Sequence, residues 1–138
     1  MTINKLSGNP EFGVQIPFVE HLGIRLVEQN ETRAVIRLEK RPEFLNSWGS
    51  THGGIIMTML DLAMASAVRG RHKLAASVLT VDISVGFIAA STGDIIAEGR
   101  VLNAGKSTAF CEAEARDVDG KLLTKAIGTF KLLHPKAG

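Results

Sequence analysis

The segment from Gly54 to Val68, GIIMTMLDLAMASAV, is apolar at nearly every position, and its one charged residue is Asp61. It reads as a helix from about residue 53 to 69. A helix that is apolar on all sides has to be covered on all sides. The flanking segments follow a different rhythm. In TRAVIRLEK (32–40), Ala34, Ile36 and Leu38 alternate with Arg33, Arg37 and Glu39, the pattern of a strand with one wet face. IRLVEQ (24–29) forms its partner across a tight polar turn, and IPFVEHLG (16–23) is a short helix closed by Gly23.

Downstream, SVLTVDISVGF (77–87) alternates Leu79, Val81, Ile83, Val85 and Phe87 with Thr80, Asp82 and Ser84. Three more strands follow at 94–104, 106–118 and 121–133, with Asp119-Gly120 as a hairpin signal between the last two. Short connections imply antiparallel neighbours. The reading is a tail over 1–15 and one α+β domain over 16–134, in which a bent antiparallel sheet of about six strands holds a single long helix. Six strands cover one side of such a helix, so a second subunit is the natural cover for the other, and a dimer is expected.

Composition narrows the function. The 138 residues carry 45% hydrophobic and 22% charged residues, which suits one globular domain. Sixteen Lys and Arg against fourteen Asp and Glu leave a net charge of +2, too balanced for nucleic acid or a membrane as the main partner. Cys111 is the only cysteine, so no intrachain disulfide and no thiolate metal cluster can form. It reads as an apolar filler in a strand. No metal site is expected. The absence of a signal-peptide pattern makes a cytoplasmic location the expectation.

Asp61 carries the chemical interest. A structural role is open to it, with Thr58 and Ser66 as nearby hydroxyls. Buried carboxylates are costly, however, and a retained one in a cleft is a functional candidate. Gly53 and Gly54 stand where the helix begins, where free N–H groups and the positive dipole end point outward and a ligand can approach the backbone closely. Such a site holds a carbonyl oxygen that gains negative charge. His52 and Asn46 are weaker candidates; each residue type is common in turns and structural hydrogen bonds. Gly53 and Asp61 are separated by eight residues, about 12 Å along the axis. One acyl carbon cannot touch both within a chain, so if both act on it, they come from different chains across a two-fold axis. Met57 and Met64 lie near the Asp61 face, as core or as pocket lining.

The run N46-SWGST-H52-G53-G54, followed by T58-ML-D61-LA, resembles the signature of the hotdog-fold thioesterases of the PaaI type. TVDISVGF, G105-K106-S107 and D119-GKLLTKAIGTF are similar to that family's strands, and the resemblance covers about residues 17–133. It implies a hotdog fold, dimers paired into homotetramers, and hydrolysis of an aryl- or medium-chain acyl-CoA without a cofactor, coenzyme A being part of the substrate. Carried over by position, Asp61 is the catalytic carboxylate, Gly53 polarises the thioester carbonyl, and Asn46 and His52 position thioester or water. Gly54, Met57, Thr58, Met64, Gly86, Phe87, Lys106 and Ser107 are the candidate substrate-binding positions; Lys106 is the candidate for CoA phosphates, whereas Arg69, Arg71 and Lys73 read first as solvated surface and second as further phosphate contacts. The chain departs from the family pattern at Gly86, where Asn is frequent, and at Ala89-Ala90, where a basic residue and Pro are frequent. Two other functions stay open on the same fold: a non-catalytic acyl-CoA sensor, and an enoyl-CoA hydratase or dehydratase.

Overall fold

The structure is a computed structural model that describes residues 11–73 and 77–134. Its elements are α1 (Pro17–Leu22), β1 (Arg25–Gln29), β2 (Arg33–Leu38), a 3-10 turn (Pro42–Phe44), α2 (Gly53–Arg71), β3 (Ser77–Phe87), β4 (Ile95–Ala104), β5 (Thr108–Asp117) and β6 (Leu122–Leu133). The strands form one antiparallel sheet in the order β1-β2-β4-β5-β6-β3. The sheet curves around α2, the hotdog arrangement that the resemblance implies. Of the expected tail, residues 1–10 lie outside the described residues. Phe12 is buried in the core and Glu11 pairs with Arg25, so packing begins before residue 16.

Small residues make the seat for the helix. The inward positions Ala97, Ala113, Ala115 and Ala126 are buried at the middle of the sheet, against Leu60, Ala63, Met64 and Ala67 of α2. Approach is closest at Gly99, where an added Cβ would fall 2.4 Å from the Ala63 carbonyl. A larger residue there would push the helix off the sheet. Larger side chains, Ile36, Leu38, Ile95, Phe130 and Leu132, close the remainder of the core. At the β5–β6 hairpin, Gly120 adopts φ 90°, which explains the glycine of Asp119-Gly120, and the turn is held by Asp117, whose Oδ1 accepts from the N–H groups of Asp119 and Lys121.

The sheet covers one side of α2 and leaves the other open, as the strand count implies: Gly54, Met57, Thr58, Asp61, Ala65 and Arg69 recur as a stripe at helical spacing, and each is exposed or only partly buried. One expectation needs correction: the alternation assigned to β3 fails over its first half. Leu79 and Val81 are exposed, whereas Val78 is buried. Thr80 pairs with Phe130 and Asp82 with Thr129, so Val81 is the extra residue of a β-bulge. The bulge changes which parity faces the helix: Val78 and Thr80 before it, Ile83 and Val85 after it. β3 is an edge strand, bonded on one side only to β6.

Candidate active site

The N-terminus of α2 is built by a short loop that folds back on itself. Asn46 Oδ1 accepts from the N–H groups of Trp48 (2.9 Å) and Ser50 (3.1 Å), and Leu45 bridges to Thr51. The Asn46 oxygen is thus spent on a turn, while its amide nitrogen has no hydrogen bond among the described residues. Thr51 N–H donates to Ser91 carbonyl (3.1 Å) and His52 N–H to Phe44 carbonyl (2.7 Å), which fixes where the helix starts. His52 is the N-cap. Its Nδ1 accepts the Gly54 N–H at 2.9 Å, so in the neutral ring the proton is on Nε2.

That cap leaves the Gly53 N–H without an acceptor among the described residues, at the positive end of a 19-residue helix. The ring of Phe87 lies against Gly53 so closely that a Cβ there would stand 3.1 Å from Phe87 Cζ. Beside them opens a cleft of about 440 Å³, lined among others by Asn46, Trp48, Gly53, Ile56, Phe87 and Ile88. The structure therefore brings Asn46, Gly53 and Phe87 together, with His52 next to them.

Asp61 lies elsewhere, two helical turns along the open stripe. It is partly exposed rather than buried, because the sheet does not cover that face. Its Oδ1 accepts from Thr80 Oγ1 at 2.6 Å. The hydroxyls named from the sequence do other things: Thr58 donates to the Gly54 carbonyl (2.9 Å), and buried Ser66 Oγ has no partner among the described residues. Thr80 is the site residue that sequence reasoning missed. Simple alternation put it on the wet face, and only the bulge turns it toward the helix.

The remaining positions divide. Gly54, Met57 (44% exposed) and Thr58 share the open stripe with Asp61. Met64 is fully buried, with Sδ and Cε each 3.1 Å from where a Gly128 Cβ would be; it fills the core, its side chain pointing into the sheet and away from the open stripe. Gly86 is exposed near the end of β3. Lys106 and Ser107 are exposed in the β4–β5 turn, where His134 Nε2–H donates to the Lys106 carbonyl (2.7 Å) and Leu132 N–H to the Ser107 carbonyl. This is the end of the protomer where α2 finishes, opposite the cleft, and it also carries exposed Arg71 and Lys73. The half-buried Arg69 forms no ion pair among the described residues; burial pulls its guanidinium below the ordinary value, and the charge of Asp61 opposes that. Cys111 is buried and desolvation pushes its thiol up to about 12, which leaves it protonated and inert as a nucleophile.

Comparison with known proteins agrees with this fold. Residues 49–124 match the thioesterase superfamily model. A protein of Saccharolobus solfataricus described as a candidate esterase is 32% identical over 116 residues, covering 83% of this chain and 82% of that one. The structure of a conserved protein from Pseudomonas aeruginosa superposes with a TM-score of 0.83 at 29% identity, over 88% of this chain and 97% of the other. The PaaI protein of the E. coli phenylacetic acid degradation operon superposes with a TM-score of 0.78 over 84% and 83% of the two chains; at 21% identity this likeness concerns the fold.

Proposed function

The chain belongs to the thioesterase superfamily, and from that premise we propose that it hydrolyses acyl-CoA thioesters at a site shared by two protomers. The observation that carries the reading is the pair of complementary half-sites on one face of α2. Gly53 offers an unbonded N–H at the helix N-terminus. Asp61 offers a carboxylate with one oxygen held by Thr80 at 2.6 Å. Packed antiparallel along the open stripe, with the free β3 edges side by side, two protomers set Gly53 of each against Asp61 of the other. The same contact covers Met57 and the rest of the stripe.

In this site the thioester carbonyl oxygen accepts the Gly53 N–H, and the helix dipole stabilises the negative charge that grows there. The Thr80 hydroxyl occupies Asp61 Oδ1 and leaves Oδ2 for the reaction. Asp61 either adds to the carbonyl carbon, giving an anhydride that water opens, or takes a proton from the water that adds. In both routes the C–S bond breaks and its electron pair leaves on sulfur, which ends protonated as free coenzyme A. Asn46 and His52 position thioester or water from the Gly53 side. Antiparallel packing turns the Lys106, Ser107 and Arg71 end of one protomer toward the cleft of the other, where the Lys106 and Arg71 cations meet CoA phosphates. Leu102, Phe110 and Ile127, exposed on the outer sheet face, supply a second contact for a dimer of dimers. The reaction as written needs no cofactor and fits a cytoplasmic acyl-CoA pool.

The test is thiol release from a series of aromatic and aliphatic acyl-CoA esters. Hydrolysis of one or more, lost by orders of magnitude in Asp61→Asn with a modest change in KM, supports the reading. A folded protein that hydrolyses none of them, or an Asp61→Ala variant at full rate, rules it out. A single turnover in heavy-oxygen water separates the two routes where water opens the anhydride at the Asp61 carboxyl carbon: the bridging Asp61 oxygen then leaves with the acid, whereas the general-base route puts a solvent oxygen into it.

A further inference from the structure

Two side chains in the protomer lack the surroundings their chemistry asks for. Trp48 is 89% exposed, although the loop that carries it is firmly held. Asn46 Oδ1 accepts from the Trp48 and Ser50 N–H groups, Leu45 bridges to Thr51, and Gly49 turns the chain with φ 79°. An indole presented on such a turn has a large apolar area to give to a partner. The second side chain is Arg69. Arg71 and Lys106 are exposed, but Arg69 is half-buried on the open stripe of α2 and forms no ion pair among the described residues. Covering the stripe strips more water from its guanidinium, which is costly unless another group takes up the charge.

The two meet in the packing that sets Gly53 against Asp61. On antiparallel helices, fixing that pair fixes the others: Met57 faces its own copy, Ala65 faces position 49 of the partner, and Arg69 faces position 45. Helical side chains lean toward the N-terminus of their own helix, so Arg69 leans over Ala65, toward the turn that carries the partner's Trp48. Ala65 is small and leaves the indole a flat seat. The segment 45–51, LNSWGST, holds no acidic residue, so what it offers a cation is the face of an aromatic ring.

We infer that Trp48 of one protomer stacks on Arg69 of its partner, in a cation–π contact that closes the outer wall of the cleft beside Gly53 from the other chain. Trp48 already lines that cleft, and the partner's guanidinium makes its ring a fixed wall that a lone protomer lacks. Arg69 is thereby a positioning residue, touching Trp48 and not the reacting atoms. Its place differs from that of Lys106 and Arg71, which stay in water where phosphates reach them. The inference rests on the shared-site reading for the register of the two helices.

Cross-linking tests the contact without turnover. Cys111, the only cysteine, is buried, so introduced thiols alone react. Chains carrying Trp48→Cys and chains carrying Arg69→Cys, co-expressed, should be joined by a short bis-maleimide. Neither variant should be joined to itself, since like positions lie at opposite ends of the interface. Met57→Cys should be joined to its own copy. If Met57→Cys is joined and the 48–69 pair is not, the contact is overturned and the register stands; failure of both overturns the packing as well. The charge is tested by emission from Trp48, the one tryptophan in a chain without tyrosine. Iodide should quench it more than caesium does. Arg69→Met, which keeps an unbranched apolar stem, should lower that ratio by at least about twofold, and Arg69→Lys should hold it. An unchanged ratio in Arg69→Met overturns the cation–π contact. With an acyl-CoA that is hydrolysed, Arg69→Met should raise KM severalfold at near wild-type kcat, a split that general loss of structure does not give. An unchanged KM overturns the role of the contact as a wall. If no acyl-CoA is hydrolysed, the hydrolase reading falls, and cross-linking with quenching still decides the contact.

Discussion

Thr80 on β3 donates a 2.6 Å hydrogen bond to Asp61 on α2, joining a strand bulge to the carboxylate. A bond of this kind fixes one carboxylate oxygen and aims the other. Thr80→Val keeps the shape and removes the donor. Hydrogen bonds to charged groups are worth about 1.5–3 kcal/mol, so kcat should fall between about tenfold and a hundredfold while KM changes little. Thr80→Ser should recover most of the rate. Steady-state kinetics of both variants with one acyl-CoA checks this; unchanged kcat in Thr80→Val would remove Thr80 from the site.

His52 has two separable roles. As N-cap it accepts the Gly54 N–H, and His52→Ala should cost about 1 kcal/mol and lower Tm by a few degrees. Asn is a good cap, so His52→Asn should keep Tm close to wild type. Because Asn lacks the imidazole assigned to positioning thioester or water, the same variant should still lose activity severalfold. Thermal unfolding and kcat/KM measured on both variants distinguish cap from chemistry.

Acid should destabilise the fold in two stages. Burial holds the His72 imidazole below its ordinary value of 6.5, with Arg71 and His134 adding to the effect. Its folded pKa is the lower one, so the unfolded chain binds more protons and stability falls as pH drops below about 6.5. Hydrogen bonds from Arg100 hold Glu112 and Glu114 below their ordinary 4.5, and the Lys40 N–H with Arg37 does the same for Asp94 below 3.8. Their stabilisation is present above those values and is lost as pH falls toward the lower folded pKa values. Denaturant midpoints across pH 3–8 should show both stages, with His72→Gln removing the upper and Glu114→Gln weakening the lower.

Much of this was legible in the sequence, for reasons that can be stated. The helix was visible because an apolar run longer than a strand has few other forms, and Asp-Gly named the last hairpin because its geometry favours those residues. Asp61 and Gly53 stand out as candidates because a carboxylate and two glycines are poor choices for a helix that merely packs; His52 and Asn46 are weaker signals that take a role only from the resemblance. That one side of the helix stays uncovered follows from the strand count; that Asp61 lies on it does not, because Met57 and Ala65 are apolar and give the open stripe no polar mark. The bulge was not legible either, since Leu79, Val81 and Ile83 continue a regular alternation through it. Missing it hid Thr80 as the partner of Asp61. Met64 was assigned by spacing to the Asp61 face, but in three dimensions its side chain falls on the sheet side.

The central claim is that Gly53 and Asp61 act together from different chains, and complementation tests it most directly. Asp61→Asn removes the carboxylate. Gly53→Pro removes the N–H at a first helical position, where proline is well tolerated, and the half-exposed Phe87 ring can move aside. Each variant alone should be nearly inactive. When the two are co-expressed, about half of the dimers are mixed, and each mixed dimer has one site built from the intact Gly53 of one chain and the intact Asp61 of the other. The mixture should therefore regain about a quarter of the wild-type rate per chain. A mixture of properly formed heterodimers no more active than its parents would contradict the shared site.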